Sequence, residues 1–507
     1  MGKSRKLSLF DFLSLTALMV LTVYEYPTFA TAKLYLLFFV IIFGIFWFLP
    51  ISLAAAEMAS VKGWEDGGVY GWVSNALGQR WGFAAIFFEW FQVTVSFVTM
   101  SYFILGALAS IFNWSALNTD PVIKFIGVLI IFWGLTLTQL KGTKRTAQIA
   151  QGGFVAGILV PSVIFLGLAI LYLVKGGHSQ IPISWHAFVP NFTQLSTLVV
   201  ASSFILAFGG IEASAPHVNE LKNPQRNYPL VIIILVVLTI FLDGTGGLSV
   251  AMVVPQKQLS LSAGVIQAFN TLMLHFTSQM TWFVKLMAFL IAFGVAAEIA
   301  SWIIGPSKGM YIAAQKGMLP KTFRKLNSNG VPVPVLIMQG IIVTVWDAIL
   351  TFGGGTDNVS FLAAVSLTVV IYLLCYILIF ISYFKLIYRY STKKRTYNAP
   401  GGKIGKTMLA FSGLALSIFA LIVSFVTPAT LSPLQGRKYQ VVLTVSFVIA
   451  VIIPFVIYAF RHRFGEANHQ FKLRHVRSED VNRFIHPIGR GEFLTEHDLK
   501  LKRQQKK

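Results

Sequence analysis

Long apolar runs separated by short polar connections occupy almost the whole chain up to residue 460. A helix needs about 20 apolar residues to cross a bilayer, and twelve runs approach or exceed that length. We place these predicted spans, with approximate edges, at 8–31, 34–57, 81–111, 122–140, 148–174, 196–220, 228–254, 281–306, 333–352, 357–388, 406–427 and 439–460. The composition, 55% hydrophobic and 12% charged, is typical of an all-α polytopic membrane protein and not of a soluble domain. The pattern therefore predicts a transmembrane domain over 1–460 and a basic tail over 461–507.

Two of the predicted spans contain residues that interrupt a helix. In the sixth, Gly209 and Gly210 lie near the middle and Glu212 follows them. In the first, Glu25 precedes Pro27, whose ring removes a backbone donor and clashes with the preceding turn. Irregular backbone at membrane depth is tolerated only where it is buried in protein or lines a watery cavity. We therefore predict two discontinuous helices that help to bind a small solute, although a glycine packing contact beside a paired carboxyl would explain the sixth span as well.

The two interruptions give spans 1–5 and spans 6–10 a matching layout, because they lie about 185 residues apart. Interrupted spans in corresponding positions are the best sequence indication of a transporter site built from inverted repeats. We expect one repeat over about 8–174 and the other over about 196–388, with two extra helices over about 406–460.

Charge is distributed unevenly between the two sides of the membrane. The chain has 41 Lys and Arg against 19 Asp and Glu, and a cytoplasmic N-terminus puts 34 of the 41 basic residues on the inner side. Basic residues gather in cytoplasmic segments, so we expect a multi-pass protein with both termini in the cytoplasm. This topology explains the positive charge without nucleic-acid binding. The single cysteine, Cys375, makes a disulfide within the chain impossible.

Spans 8 and 10 each contain a pair of residues at helical spacing. Glu298 and Trp302 in span 8, like Tyr372 and Tyr376 in span 10, are four residues apart, which places each pair on one helix face. Deep tyrosine hydroxyls need partners, so such pairs are typical of a polar cavity, with interhelical packing as the alternative. Other acidic residues of the spans are expected at helix ends or membrane boundaries, without a chemical role: Glu25, Glu57, Glu89, Asp243 and Asp347.

The tail contains a candidate pH-sensitive segment. A basic polar tail is most often solvated, but the aromatic, Pro and Gly residues around His486 favour more order. Histidine changes charge between about pH 5 and 8. The hypothesis is that a segment with His475, Arg483, His486 and Arg490 docks into an inner vestibule near neutral pH and leaves it below about pH 6.

Several motifs resemble the amino acid–polyamine–organocation transporters. Phe208-Gly-Gly-Ile-Glu212, followed by Glu220-Leu-Lys-Asn-Pro and Arg226-Asn-Tyr-Pro229, is similar to the sixth span and the next loop of that superfamily. Glu65-Asp-Gly-Gly-Val-Tyr70 is similar to its loop after span 2.

The first span departs from the usual pattern of that superfamily. Most members carry a Gly-Ser-Gly-type break there, whereas this chain has Val23-Tyr-Glu-Tyr-Pro-Thr-Phe-Ala-Thr31. The departure resembles one subgroup, the bacterial glutamate/γ-aminobutyrate antiporters. Ala297-Glu-Ile-Ala-Ser-Trp-Ile-Ile-Gly-Pro-Ser307 and Leu367-Thr-Val-Val-Ile-Tyr372 are also similar to that subgroup.

The resemblance implies an acid-resistance exchanger of the bacterial cell membrane. Glutamate would enter, a separate cytoplasmic glutamate decarboxylase would consume a proton, and γ-aminobutyrate would leave. The implied fold is LeuT-like, with two five-helix inverted repeats, discontinuous helices 1 and 6, and two extra helices. The implied site lies between the broken spans and is closed by spans 3, 8 and 10. We expect eight substrate-binding residues, six matched by motif and two from the glycine pair: Tyr24, Glu212, Glu298, Trp302, Tyr372, Tyr376, Gly209 and Gly210.

The resemblance also gives roles to the carboxyl of Glu212 and to the tail. In a low-dielectric cavity a carboxyl has a raised pKa, so protonated Glu212 could donate a hydrogen bond to a substrate carboxylate at mildly acid pH. A buried structural carboxyl with a partner is the alternative. The family's C-terminal segment plugs the cytoplasmic path at neutral pH, and the sequence around His486 and Arg490 lies where that plug is expected.

Other functions stay open on the sequence alone. An exchanger of the same fold for glutamine, or for another amino acid and its decarboxylation product, would look much the same. A non-transporting membrane sensor is a distant alternative, because residues 461–507 are too few for a soluble signalling domain. An enzyme is disfavoured, since we find no metal-ligand cluster, nucleophile–base set or phosphate loop. We accordingly expect no catalytic residues, metal or cofactor.

Overall fold

The computed structural model describes residues 9–64, 68–141, 151–194, 198–214, 221–277, 279–353, 357–428 and 431–464. Helices make up the regular structure of these ranges, apart from one isolated antiparallel bridge between Val61 and Arg395. We number sixteen helices: α1 (Leu9–Val20), α2 (Tyr26–Ala30), α3 (Lys33–Ala59), α4 (Val69–Leu77), α5 (Gln79–Phe112), α6 (Pro121–Gln139), α7 (Gly153–Val174), α8 (Ser203–Ala207), α9 (Ile211–Ser214), α10 (Pro224–Val253), α11 (Gly264–Phe276), α12 (Thr281–Gln315), α13 (Val333–Phe352), α14 (Asp357–Arg389), α15 (Gly402–Ser424) and α16 (Pro433–Ala459). Shorter helical turns lie at Ala116–Thr119, Trp185–Phe188, Val199–Ser202, Gln256–Gln258, Lys321–Arg324 and Arg461–Phe464.

Ten helices in the described ranges are long and apolar enough to cross a membrane. They are α3, α5, α6, α7, α10, α12, α13, α14, α15 and α16. Each corresponds to one predicted span, so the sequence pattern located these ten. The remaining two predicted spans are the interrupted ones, and the structure describes them as shorter pieces.

Local sequence explains where several helices begin. Asp120 caps α6, because its Oδ1 accepts hydrogen bonds from the backbone N–H groups of Val122 (2.9 Å) and Ile123 (3.0 Å). Ser432 and Gln435 form a capping box at the start of α16. Proline occupies the first position of both helices, where its missing N–H leaves no hydrogen bond unmade.

Helices α5, α12 and α14 form the centre of the bundle. The buried share of their most apolar stretch is 72%, 72% and 83%, against 22% for α16. Small residues bring neighbouring backbones together around this centre. A side chain at Gly157 of α7 would lie 2.3 Å from the Cα of Gly294 in α12, so these two helices cross at a glycine–glycine contact.

The first and sixth predicted spans are both interrupted, at the residues that the sequence indicates. Helix α1 ends at Val20, residues 21–25 are not helical, and α2 begins at Tyr26. Helix α8 ends at Ala207, and α9 begins at Ile211 after a turn in which Gly210 has φ +108°. A φ this far into the positive range is favourable for glycine and strained for residues with a side chain, which explains why the turn falls there.

Candidate functional site

A small cavity lies between the two interruptions. The volume open to the centre of a water molecule is about 20 Å³, which accommodates a water molecule but not an amino acid. Its walls come from the end of α1 and the turn after it, from α5, α8, α12 and α14, and from the glycine turn. The lining residues are Met19, Thr22, Tyr24, Gln92, Val93, Ser96, Met100, Leu206, Gly209, Glu298, Trp302 and Tyr372.

The cavity brings together five of the eight predicted binding residues from distant parts of the chain. Tyr24 comes from the first interruption, Gly209 from the second, Glu298 and Trp302 from α12, and Tyr372 from α14. The four-residue spacing of the α12 pair does place both side chains on the face towards the cavity. The other three predicted residues lie directly behind this wall.

Glu212 contacts the two tyrosines of α14. The hydroxyl of Tyr372 donates to its Oε1, and the hydroxyl of Tyr376 donates to its Oε2 at 2.9 Å. The backbone N–H of Gly210 donates in turn to the Tyr376 hydroxyl at 3.3 Å. The ring centroids of Tyr372 and Tyr376 are 4.5 Å apart. Since Tyr372 also lines the cavity and Glu212 does not, Glu212 is positioned to act on a ligand through the Tyr372 hydroxyl.

Three polar atoms at the cavity have no hydrogen-bond partner among the described residues. They are Thr22 Oγ1, Gln92 Oε1 and Glu298 Oε2, all on buried side chains. Unsatisfied buried polar groups are uncommon and call for an explanation, for instance a ligand or a water. Two of these atoms are pure acceptors and the hydroxyl can also accept, so together they fit the N–H donors of an ammonium group.

The family resemblance places span 3, which is α5, at the site, but the sequence analysis named none of its residues. Gln92 and Ser96 lie four residues apart and face the cavity together. That polar pair within an otherwise apolar span was the available signal. Thr22 was not predicted either, because a lone threonine beside Glu25 and Pro27 has no distinguishing pattern in the sequence.

The expectation that the other acidic residues lie at helix ends is wrong for two of them. Glu89 lies within α5 and is 5% exposed, and Asp243 lies within α10 and is fully buried. Glu89 is within electrostatic range of Glu212, so it adds a carboxyl to the site beside Glu212 and Glu298. Hydropathy reports how apolar a stretch is on average and does not locate a single carboxyl along it, which explains the error.

The predicted tail residues His475, Arg483, His486 and Arg490 lie outside the described residues.

Comparisons with known proteins show which family and which individual proteins this chain is similar to. The family model described as "Amino acid permease" matches residues 7–462. The chain is 59% identical, over 96% of its length and 97% of the other protein, to the "Glutamate/gamma-aminobutyrate antiporter" of Lactococcus lactis subsp. lactis strain IL1403. It is 60% identical over the same shares to the protein of that name from Lactococcus lactis subsp. cremoris strain MG1363. A "Probable agmatine/putrescine antiporter" of the former strain is 28% identical over 81% of this chain and 84% of its own.

Proposed function

The chain belongs to the amino acid permease family, and from this premise we propose that it exchanges external glutamate for internal γ-aminobutyrate across a bacterial cell membrane. The observation that carries the proposal is the near full-length similarity to two antiporters of that name. Ten apolar helices of spanning length agree with a membrane carrier. A small cavity at the helix breaks, lined by both polar and apolar residues, agrees with a small zwitterionic substrate.

The proposed architecture has twelve spans in two inverted repeats, with the broken pieces α1–α2 and α8–α9 as spans 1 and 6. Helices α15 and α16 are the two extra helices, and both termini lie in the cytoplasm. The equivalent positions of the two breaks and the excess of basic residues on one side support this arrangement.

The proposed substrate site is the cavity in a more open state. Its present volume excludes glutamate, so α1–α2 and the surrounding helices must separate before substrate enters. The acceptor atoms of Thr22, Gln92 and Glu298 would take the ammonium group. With Glu212 protonated, its O–H would donate to the Tyr372 oxygen, and the Tyr372 O–H would be free to donate to a carboxylate of the substrate. Tyr24, Trp302, Tyr376 and the two glycines would complete the site.

A Glu212→Gln variant tests this assignment. The amide keeps the shape of the carboxyl but replaces one acceptor by a donor, so one tyrosine hydroxyl has to reorient. We expect a several-fold higher KM for glutamate, a smaller change in kcat and an altered pH dependence, with thermal unfolding close to that of the unmodified protein. Unchanged KM and unchanged pH dependence in reconstituted vesicles would exclude a role of Glu212 in binding.

Acid gating by the tail is a further part of the proposal. The segment with His475, Arg483, His486 and Arg490 would close the cytoplasmic path near neutral pH and release it when the histidines are protonated. A deletion after Asn468 is expected to give exchange at about pH 7 comparable to that of the full chain at acid pH. The measurement is labelled glutamate uptake against pH for both proteins. If the truncated carrier took up no glutamate at neutral pH, a plug formed by the tail would be excluded.

Reconstitution tests the proposed function itself. Purified protein in liposomes preloaded with γ-aminobutyrate is assayed for labelled glutamate uptake from about pH 4.5 to about 7.5, beside empty liposomes. Uptake only into loaded vesicles, rising as pH falls, is expected. A cell that also has a cytoplasmic glutamate decarboxylase would then remove internal protons, which is the proposed link to acid resistance. Uptake into empty vesicles, or none at any pH, would contradict the exchange.

A further inference from the structure

Arginine and aromatic side chains meet where α5 begins and α16 ends. The rings of Trp81 and Phe455 join the two helices, with centroids 5.6 Å apart. The guanidinium carbon of Arg80 lies 4.9 Å from the centroid of the Phe455 ring and 5.8 Å from that of Trp81. About one helical turn after Phe455, the guanidinium carbon of Arg461 lies 3.9 Å from the centroid of the Tyr458 ring. We call these five residues the basic–aromatic patch.

The positive charge of the patch is not balanced by the part of the chain that the structure describes. No carboxylate of these residues pairs with Arg80 or Arg461, and the Arg461 guanidinium donates only to the backbone carbonyl of Tyr458, at 3.0 Å. His462 and Arg463 follow directly and are exposed. A guanidinium that lies over a ring keeps its N–H edge free, and that planar edge matches two oxygens of a phosphate group.

An exposed apolar stripe of α16 leads to the patch. Val445, Ile449, Ile452 and Val456 are each about half exposed, and their spacing of three or four residues places them on one helix face. Because only 22% of the most apolar stretch of α16 is buried, this face is directed away from the bundle and towards the bilayer. Trp81 is 41% exposed, and exposed aromatic side chains at helix ends gather at the level of the lipid headgroups. The patch therefore lies where a surface for acyl chains ends in a surface for headgroups.

The proposed topology puts this end of both helices on the cytoplasmic side. The cytoplasmic leaflet carries anionic lipids, and basic pockets between helix ends on that side bind anionic headgroups. A soluble anion would leave the apolar stripe uncovered, and a soluble protein would have to displace lipid from it. An anionic phospholipid complements both surfaces with one molecule, because its phosphate is joined to its acyl chains.

We propose that the basic–aromatic patch binds the headgroup of an anionic phospholipid of the inner leaflet. Arg80 and Arg461 donate hydrogen bonds to the phosphate oxygens, and the acyl chains lie along the exposed stripe of α16. The inference takes the side of the membrane from the proposed topology. It does not depend on which amino acids the protein exchanges, so it can fail or hold independently of the proposed function.

Thermal unfolding of the full chain in mild detergent measures the binding. Phosphatidylglycerol is titrated into the protein, beside phosphatidylcholine with the same acyl chains and glycerol phosphate without any. A ligand that binds only the folded protein raises the unfolding temperature. We expect phosphatidylglycerol to raise it by several degrees at saturation, and the other two, at equal concentration, by at most about a third of that shift.

Arg80→Gln combined with Arg461→Gln tests the two arginines. A basic residue near an anionic membrane surface contributes about fivefold in affinity, so the half-maximal concentration of phosphatidylglycerol should rise at least about tenfold. Arg80→Lys combined with Arg461→Lys keeps both charges without the planar fork, and should raise it about threefold. This lysine variant carries the test if the glutamine variant does not fold, and its binding phosphatidylglycerol as tightly as the unmodified protein would then overturn the proposal.

Two lysines elsewhere on the same side provide the matched control. Lys393 lies 5.8 Å from the centroid of the Tyr390 ring, and Lys403 lies 4.5 Å from that of Tyr388. Lys393→Gln combined with Lys403→Gln removes the same charge, and its half-maximal concentration should stay within about threefold. An equal loss of affinity in this control would overturn the proposal, and so would unchanged binding by the glutamine variant of the arginines. Equal stabilisation by phosphatidylcholine or by glycerol phosphate would overturn it as well, because acyl chains alone or any phosphate would then suffice.

Discussion

Replacing Glu57 by alanine is expected to lower the free energy of unfolding by about 3–5 kcal/mol, the largest stability effect that the structure indicates. Glu57 is fully buried near the end of α3 and joins three parts of the chain. Its carboxylate accepts hydrogen bonds from Arg395 at 2.5 Å, Lys406 at 2.6 Å and Tyr383 at 2.8 Å. The backbone N–H of Ala399 donates to the same carboxylate at 3.0 Å.

The expected size follows from what alanine would leave behind. The Arg395 and Lys406 side chains are only 6% and 13% exposed, so both cations would remain mostly buried without a counter-charge. Removing one partner of a buried ion pair is far more destabilising than replacing both partners by apolar residues, because it leaves a buried charge without a counter-charge. The measurement is thermal unfolding of the purified protein in detergent. The stability of Glu57→Gln should fall between those of the unmodified protein and Glu57→Ala, because the amide keeps one acceptor oxygen.

A helix cap provides the matched comparison for this prediction. Asp120→Ala also removes a carboxylate that accepts two hydrogen bonds, but at the partly exposed start of α6. Its expected effect is about 1 kcal/mol. A Glu57→Ala variant that unfolds no earlier than Asp120→Ala would contradict the expected loss of about 3–5 kcal/mol.

The Glu57 contacts also mark the limit of what hydropathy predicts. The ten spanning helices and both interruptions follow from runs of apolar residues and from Gly, Pro and Glu within them, all of which are local signals. Arg395 lies 338 residues from Glu57, in a loop that the sequence gives no reason to place against α3. A charged residue at the end of an apolar run has the same pattern whether it faces solvent or closes an ion pair.

The residues of the candidate site likewise divide into those that the sequence predicted and those that it did not. Glu298 with Trp302 and Tyr372 with Tyr376 were expected at the site from the family resemblance, with each pair on one helix face, and the structure places them together around the cavity and Glu212. Gln92, Glu89 and Asp243 were not, because the face that a lone polar residue presents depends on how the helices are rotated against one another. That rotation is fixed by packing contacts such as the one between Gly157 and Gly294, which residue pattern alone does not reveal.

Gly210→Ala is expected to reduce exchange by about tenfold or more, the largest effect on transport that the structure indicates. Gly210 has φ +108°, a backbone conformation that is strained for any residue with a side chain. The added Cβ would also lie 2.4 Å from the carbonyl oxygen of Met19 and 3.0 Å from the Trp302 ring. Because Met19 belongs to the last turn of α1, the methyl group would force the two helix breaks apart at the cavity.

Two glycine variants separate this contact from a general effect of substitution. At Gly209 the Cβ would meet the Tyr372 ring at 2.6 Å, and a side chain yields more easily than backbone, so Gly209→Ala should be less severe. At Gly167 of α7 nothing lies within 4 Å, so Gly167→Ala should transport normally and be slightly more stable, as alanine favours a helix by about 1 kcal/mol. Counterflow of labelled glutamate into γ-aminobutyrate-loaded vesicles, per amount of folded protein, ranks the three variants. Normal transport by Gly210→Ala would mean that the two breaks are not held together at this contact while the carrier works.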